Sequence, residues 1–81
     1  MKIRNQDYGN SNMIGKQVYM LRTQRNIKQK DFIAQLQADG LDINPSSYSK
    51  LEGQIRVATD KEVFHIARVL GVEMEALFAE E

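Results

Sequence analysis

Asn44-Pro45-Ser46-Ser47-Tyr48-Ser49-Lys50-Leu51-Glu52-Gly53 is the stretch from which the rest of the chain is best read. Asparagine is a preferred helix cap, and proline at the first helical position gives up no hydrogen bond that the helix needed. Asn44-Pro45 therefore predicts a helix start, and Gly53 a stop. Tyr48 and Leu51 fall on one side of this short helix, while Ser46, Ser47, Ser49 and Lys50 fall elsewhere. Such a helix is anchored along one side and free and polar along the other.

Upstream, Gln29 to Ala38 repeats apolar residues at helical spacing through Phe32, Ile33 and Leu36, with Asp31 well placed near the positive end of the helix dipole. Gly40 ends this helix, and the connection 39–44 brings two apolar side chains, Leu41 and Ile43, as plugs for the core. Earlier still, Ile14, Val18 and Leu21 predict a helix over about 13–25, capped by Asn12 and stopped at Asn26, a residue type that tolerates left-handed backbone. Downstream of a loop at 54–58, Thr59 and Glu62 have the spacing of a capping box. They open a fourth helix carrying Val63, Ile66, Ala67 and Leu70, ended by Gly71. A fifth helix is expected over 73–79, with Leu77 and Phe78 packing inward. Residues 1–12 have no apolar period and read as a flexible arm ahead of a single domain at 13–81. The expected architecture is all-α, five short helices in one bundle.

Hydrophobic residues make up 42% and charged residues 27%, a balance that argues against a wholly disordered chain. The absence of cysteine excludes disulfides and thiolate metal sites. No apolar run is long enough to span a bilayer, and the first twelve residues lack the apolar stretch of a signal peptide, so a soluble cytoplasmic protein is expected. The net charge is zero but unevenly spread. Residues 1–56 hold nine Lys or Arg against five Asp or Glu, and residues 57–81 hold two against six. A basic front can approach phosphate while an acidic end stays clear of it.

From Ile14 to Phe78 the chain resembles the phage-repressor and Cro-like helix-turn-helix family, often called XRE-like. The resemblance rests on Ile14-Gly15 and Leu21-Arg22, then Ile27-Lys28-Gln29-Lys30-Asp31-Phe32-Ile33-Ala34, then Ser49-Lys50-Leu51-Glu52, Arg56 and Thr59-Asp60. Ile66-Ala67-Arg68-Val69-Leu70-Gly71-Val72 and Leu77-Phe78 complete it. It implies a lambda-repressor-like DNA-binding domain. Three features depart from the family pattern. The turn at 39–44 has six residues, Gly53 follows Glu52 directly where the family more often has its glycine one residue later, and Ile33 stands where alanine is common. The larger Ile33 is expected to push the second and third helices apart.

A helix can enter the major groove only if one edge is free of core side chains and lined with groups that reach bases. The helix at 45–53 meets that need. Pro45, Ser46, Ser49 and Lys50 are the expected base contacts, with Lys50 able to donate to guanine O6 and N7 and the serines able to pair with several base edges. Gln29, by resemblance, holds a backbone phosphate and braces the recognition helix, a placement suited to a helix N-terminus. Lys28, Lys30 and Arg56 are expected to neutralise phosphates, and Ser47 and Gln54 complete the phosphate set. Arg22 and Glu52, again by resemblance, form a partly buried structural ion pair.

No nucleophile with a base at recognisable spacing, no phosphate-binding glycine loop and no cluster of metal ligands stands out, and His65 reads as a surface or core-edge residue. An enzyme, a cofactor, a metal and a membrane partner are therefore not expected. The expected function is a sequence-specific transcriptional regulator, a repressor, in a bacterial or phage setting. It would bind double-stranded DNA as a homodimer, with Met74, Leu77 and Phe78 as candidates for the dimer contact. The alternative is a protein-interaction module such as an antitoxin-type helix-turn-helix protein, which zero net charge and the acidic tail favour more than a strongly basic chain would.

Overall fold

The computed structural model describes residues 9–79, and among them are four α-helices and no strand. They are α1 (Gly15–Gln24), α2 (Gln29–Ala38), α3 (Pro45–Glu52) and α4 (Asp60–Leu70), followed by a 3₁₀ helix at Met74–Phe78. No helix among the described residues is long and apolar enough to cross a membrane.

The caps explain where the elements begin and end. The Asn44 side chain accepts a hydrogen bond from the Ser47 amide at 2.8 Å, and Pro45 follows at the first helical position. Thr59 and Glu62 form the reciprocal capping box at the start of α4. Gly71 leaves that helix in the left-handed conformation, φ 72°. Asn26, at φ 56°, turns the chain between α1 and α2. Asn12 caps α1, its Oδ1 accepting from the amides of Ile14 at 3.0 Å and Gly15 at 2.8 Å. The regular winding of α1 starts at Gly15, two residues later than the expected 13.

Two expectations need correction. Residues 9–12 are not a loose arm. Gly9 N–H donates to Gly53 O at 2.9 Å, Ser11 N–H to Gln54 O at 2.8 Å, and Asn12 Nδ2 to the carbonyls of Leu51 at 3.0 Å and Arg56 at 2.8 Å. This segment is laced to the chain that leaves α3. Residues 1–8 lie outside the described residues. Gly53 closes α3 as expected, at φ −78°, and Gln54 after it takes the left-handed angle, φ 63°. Second, the last element is a five-residue 3₁₀ helix and not a fifth α-helix. Its Leu77 is fully buried, whereas Phe78 is 44% exposed and does not pack inward.

All four helices and the 3₁₀ turn feed one core. Val18, Phe32, Leu36, Tyr48, Leu51, Ile66 and Leu77 are completely covered. Phe32 and Tyr48 meet edge to face with ring centroids 5.7 Å apart, a contact worth about 0.5–1.5 kcal/mol beyond the area it buries. Ile33 is absorbed into this core, as are Leu41 and Ile43 from the 39–44 connection. Gln37 Nε2 donates to Ile43 O at 2.8 Å, and Asp39 pairs with His65 of α4 at 2.7 Å. The six-residue connection is therefore held at both its ends, which fixes where α3 emerges after α2.

Candidate nucleic-acid interface

α3 turns Tyr48, Leu51 and Glu52 into the molecule and leaves Pro45, Ser46, Ser49 and Lys50 exposed. At 100° per residue these four span an arc of about 140°, a continuous outer edge that begins at the N-terminus of the helix. Lys28 and Lys30, at the start of α2, are exposed, and none of these three lysines forms an ion pair among the described residues.

The edge is supported from beneath by Glu52. Its Oε2 accepts from Arg22 Nε at 2.9 Å and from the Tyr48 hydroxyl at 2.7 Å. Its Oε1 accepts from Arg22 Nη2 at 3.0 Å and from Gln29 Nε2 at 3.2 Å. Arg22 also donates to Ile27 O at 2.8 Å, so one ion pair ties α1, the α1–α2 connection and α3 together. Burial opposes the charge on Arg22, yet the hydrogen bonds and charge of Glu52 prevail and raise its pKa further. Burial and the adjacent carboxylate both push the Tyr48 phenol far above the usual tyrosine range, so this hydroxyl stays protonated as a donor. Gln29 reaches Ser49 as well: Ser49 Oγ donates to Gln29 Oε1 at 3.3 Å.

Arg56 differs from expectation. Its guanidinium is occupied within the chain, donating to Ser47 O at 3.0 Å, Val57 O at 2.9 Å and both carboxylate oxygens of Glu62 at 2.9 and 2.8 Å. It braces the loop between α3 and α4, and its charge is already balanced. Gln54 also faces the protein. Its Nε2 donates to Asn12 O at 3.0 Å, and its side chain lies against Gly15, where an added Cβ would come within 2.6 Å. Ser47 is half-buried, its amide engaged by Asn44 and its carbonyl by Arg56. The structure thus joins Gln29 to the exposed edge Pro45, Ser46, Ser49 and Lys50 through Ser49, leaves Lys28 and Lys30 exposed on either side of Gln29 in sequence, and engages Gln54 and Arg56 within the fold.

One constellation escaped the sequence reading. Asp39 Oδ2 lies 2.7 Å from His65 Nδ1, and its Oδ1 lies 3.2 Å from Arg68 Nε. The hydrogen bond from His65, helped by Arg68, holds the Asp39 carboxyl below its ordinary range. These partners are 26 and 29 positions apart, and no local pattern announces them. Large apolar side chains also remain exposed at Met13, Ile55, Val57, Phe64, Met74 and Phe78. Leu77, one of the three candidates for a dimer contact, is buried within the monomer and unavailable for that role. Among the described residues no group of three or more His, Cys, Asp or Glu could hold a metal ion.

Comparison with protein-family models, with curated proteins and with solved structures gives no match.

Proposed function

We propose that this chain is a sequence-specific DNA-binding regulator of the helix-turn-helix kind, with α2 and α3 as the helix pair and α3 as the helix that enters the major groove. The observation that carries the reading is the outer edge of α3, where Pro45, Ser46, Ser49 and Lys50 stand clear of the core and Ser49 bonds to Gln29, which the exposed Lys28 and Lys30 flank in sequence. An exposed helix of this width matches what a major groove admits, and cations flanking it suit the phosphate rails on either side. Lys50 donates to guanine O6 and N7, and Lys28 and Lys30 neutralise phosphates. Gln29 Nε2 has two protons; one goes to Glu52, which leaves the other for a phosphate oxygen.

The same reading takes the chain to be XRE-like and cytoplasmic, and makes it a repressor that acts as a homodimer, with two α3 helices about 34 Å apart on a two-fold site. Selection from a random duplex pool tests it. Enrichment of a pseudo-palindrome with half-sites one helical turn apart is expected. A protein that gives no mobility shift at low salt on any duplex would defeat it.

A second reading, a protein-interaction module of the antitoxin type, draws on the exposed Ile55 and Val57 and on the zero net charge. Partner capture without any salt-dependent shift on mixed genomic DNA would favour it.

A further inference from the structure

The buried ion pair reaches the candidate DNA surface through a chain of hydrogen bonds, and that chain has a direction. Glu52 as a carboxylate can only accept. It takes two donors from Arg22, one from Tyr48 and one from Gln29. A side-chain amide has one end that donates and one that accepts. With its Nε2 turned to Glu52, Gln29 must present Oε1 to its other neighbour, Ser49. The Ser49 hydroxyl has a single proton, and Gln29 Oε1 takes it. What Ser49 shows to the outside is then lone pairs alone.

We infer that Ser49 reads DNA as an acceptor, selecting the exocyclic amino group of adenine or cytosine on the strand it contacts. The inference rests on the DNA-binding reading above and sharpens it at one residue. In the major groove the donors are adenine N6 and cytosine N4, while guanine and thymine offer acceptors at the corresponding places. An acceptor facing an acceptor leaves both unpaired in a desolvated interface, so guanine and thymine are rejected. A serine in isolation pairs with either kind of base edge. Here the fold removes that freedom, and it does so from a carboxylate that contacts no DNA. Lys50, the next residue, is a donor only. The outer edge of α3 thus presents two adjacent groups of opposite and fixed polarity.

The test uses the full chain and a random duplex pool. Wild-type protein should enrich adenine or cytosine at one position per half-site, by about 2- to 10-fold over guanine or thymine, the span of one net hydrogen bond. Ser49→Ala should flatten that position and leave the others standing, and Ser49→Thr should restore the preference. Gln29→Met, which cannot take the hydroxyl proton, should let guanine and thymine in. Replacing a selected adenine by purine, which lacks the N6 amino group, should weaken wild type and leave Ser49→Ala unchanged. Ratios between bases are read within each variant, so a loss of fold stability cancels. Enrichment of guanine or thymine at the position that Ser49→Ala flattens overturns the inference. So does a profile that Ser49→Ala does not alter, or one that Gln29→Met leaves as selective as wild type. Each of these leaves DNA binding intact. A pool from which nothing is recovered overturns both.

Discussion

Arg56 and Glu62 face each other as a two-pronged ion pair, Nη1 to Oε1 at 2.9 Å and Nη2 to Oε2 at 2.8 Å. The planar fork of arginine matches a carboxylate in this way, and lysine cannot reproduce it. The pair clamps the loop that leaves α3 to the first turn of α4. Because Glu62 also accepts from the Thr59 amide at 2.8 Å, clamp and helix cap are one assembly.

Arg56→Ala should therefore lower the thermal midpoint without changing the salt slope of DNA binding. Lys28→Ala should do the reverse, reducing the slope of log K against log salt by about one and weakening all sequences alike. Lys50→Ala should relax base preference instead. Binding isotherms at several salt concentrations, with melting curves, separate the three. A reduced slope for Arg56→Ala would show that its charge does reach phosphate.

Glu62 also gives the fold an acid sensitivity. Burial alone would raise its pKa, but the hydrogen bonds from Arg56 and Thr59 and the charge of Arg56 outweigh burial and hold it below the ordinary glutamate value. A carboxyl depressed in the fold contributes stability above its unfolded pKa, about 4.3, and that contribution is lost as pH falls through the lower folded value. Glu62→Gln should be less stable than wild type at pH 7, with the gap closing as pH falls below about 4. Urea midpoints at pH 7 and at acid pH give the comparison.

Removing Glu52 should be the costliest single change to a charged residue. Its side chain and that of Arg22 are 7% and 9% exposed, so Glu52→Ala strands a guanidinium in the interior. The expected loss is about 3–5 kcal/mol, a large share of the ~5–15 kcal/mol that holds a typical domain together. Replacing the pair together by apolar residues should recover part of it. Chemical denaturation of the two variants measures both.

Gly15 is required by contact and not by backbone angle. A Cβ there would sit 2.6 Å from Leu51 O and 2.7 Å from Glu52 O, both main-chain atoms that cannot swing aside. Gly15→Ala should cost about 1–3 kcal/mol by prising α1 from the end of α3. A melting curve that coincides with wild type would contradict this close packing.

Much of the fold was legible because its signals are local. Asn44-Pro45, the Thr59–Glu62 box, Asn26, Gly40 and Gly71 each act within a few residues, and each stands where the sequence put it. The 3.6-residue repeat of apolar side chains likewise picked out α2 to the residue. The misreadings arise where distant segments meet. Nothing in the polar run 9–12 tells that it will hydrogen-bond to residues 51–56. Arg56 read as a free cation because its partner Glu62 was already explained as a cap. Gln54 adopts a left-handed angle against its own preference, since tertiary contacts to Asn12 and Gly15 hold it there. Phe78 was expected inward beside Leu77, but neighbouring residues of a 3₁₀ turn point about 120° apart, and Leu77 takes the inward place.

Tyr48 has one further consequence, a spectroscopic one. The chain has no tryptophan and three tyrosines, and Tyr48 is sealed in the core with its hydroxyl on a carboxylate. A phenol so placed cannot become phenolate while the fold persists, although an exposed one does so near pH 10. Its raised pKa means that the native state is favoured below pH 10 and undermined above it. An alkaline titration followed by ultraviolet absorbance should leave Tyr48 silent until the domain opens, then release it in a single cooperative step. The molecule thus carries its own indicator of whether the Arg22–Glu52 linkage is intact.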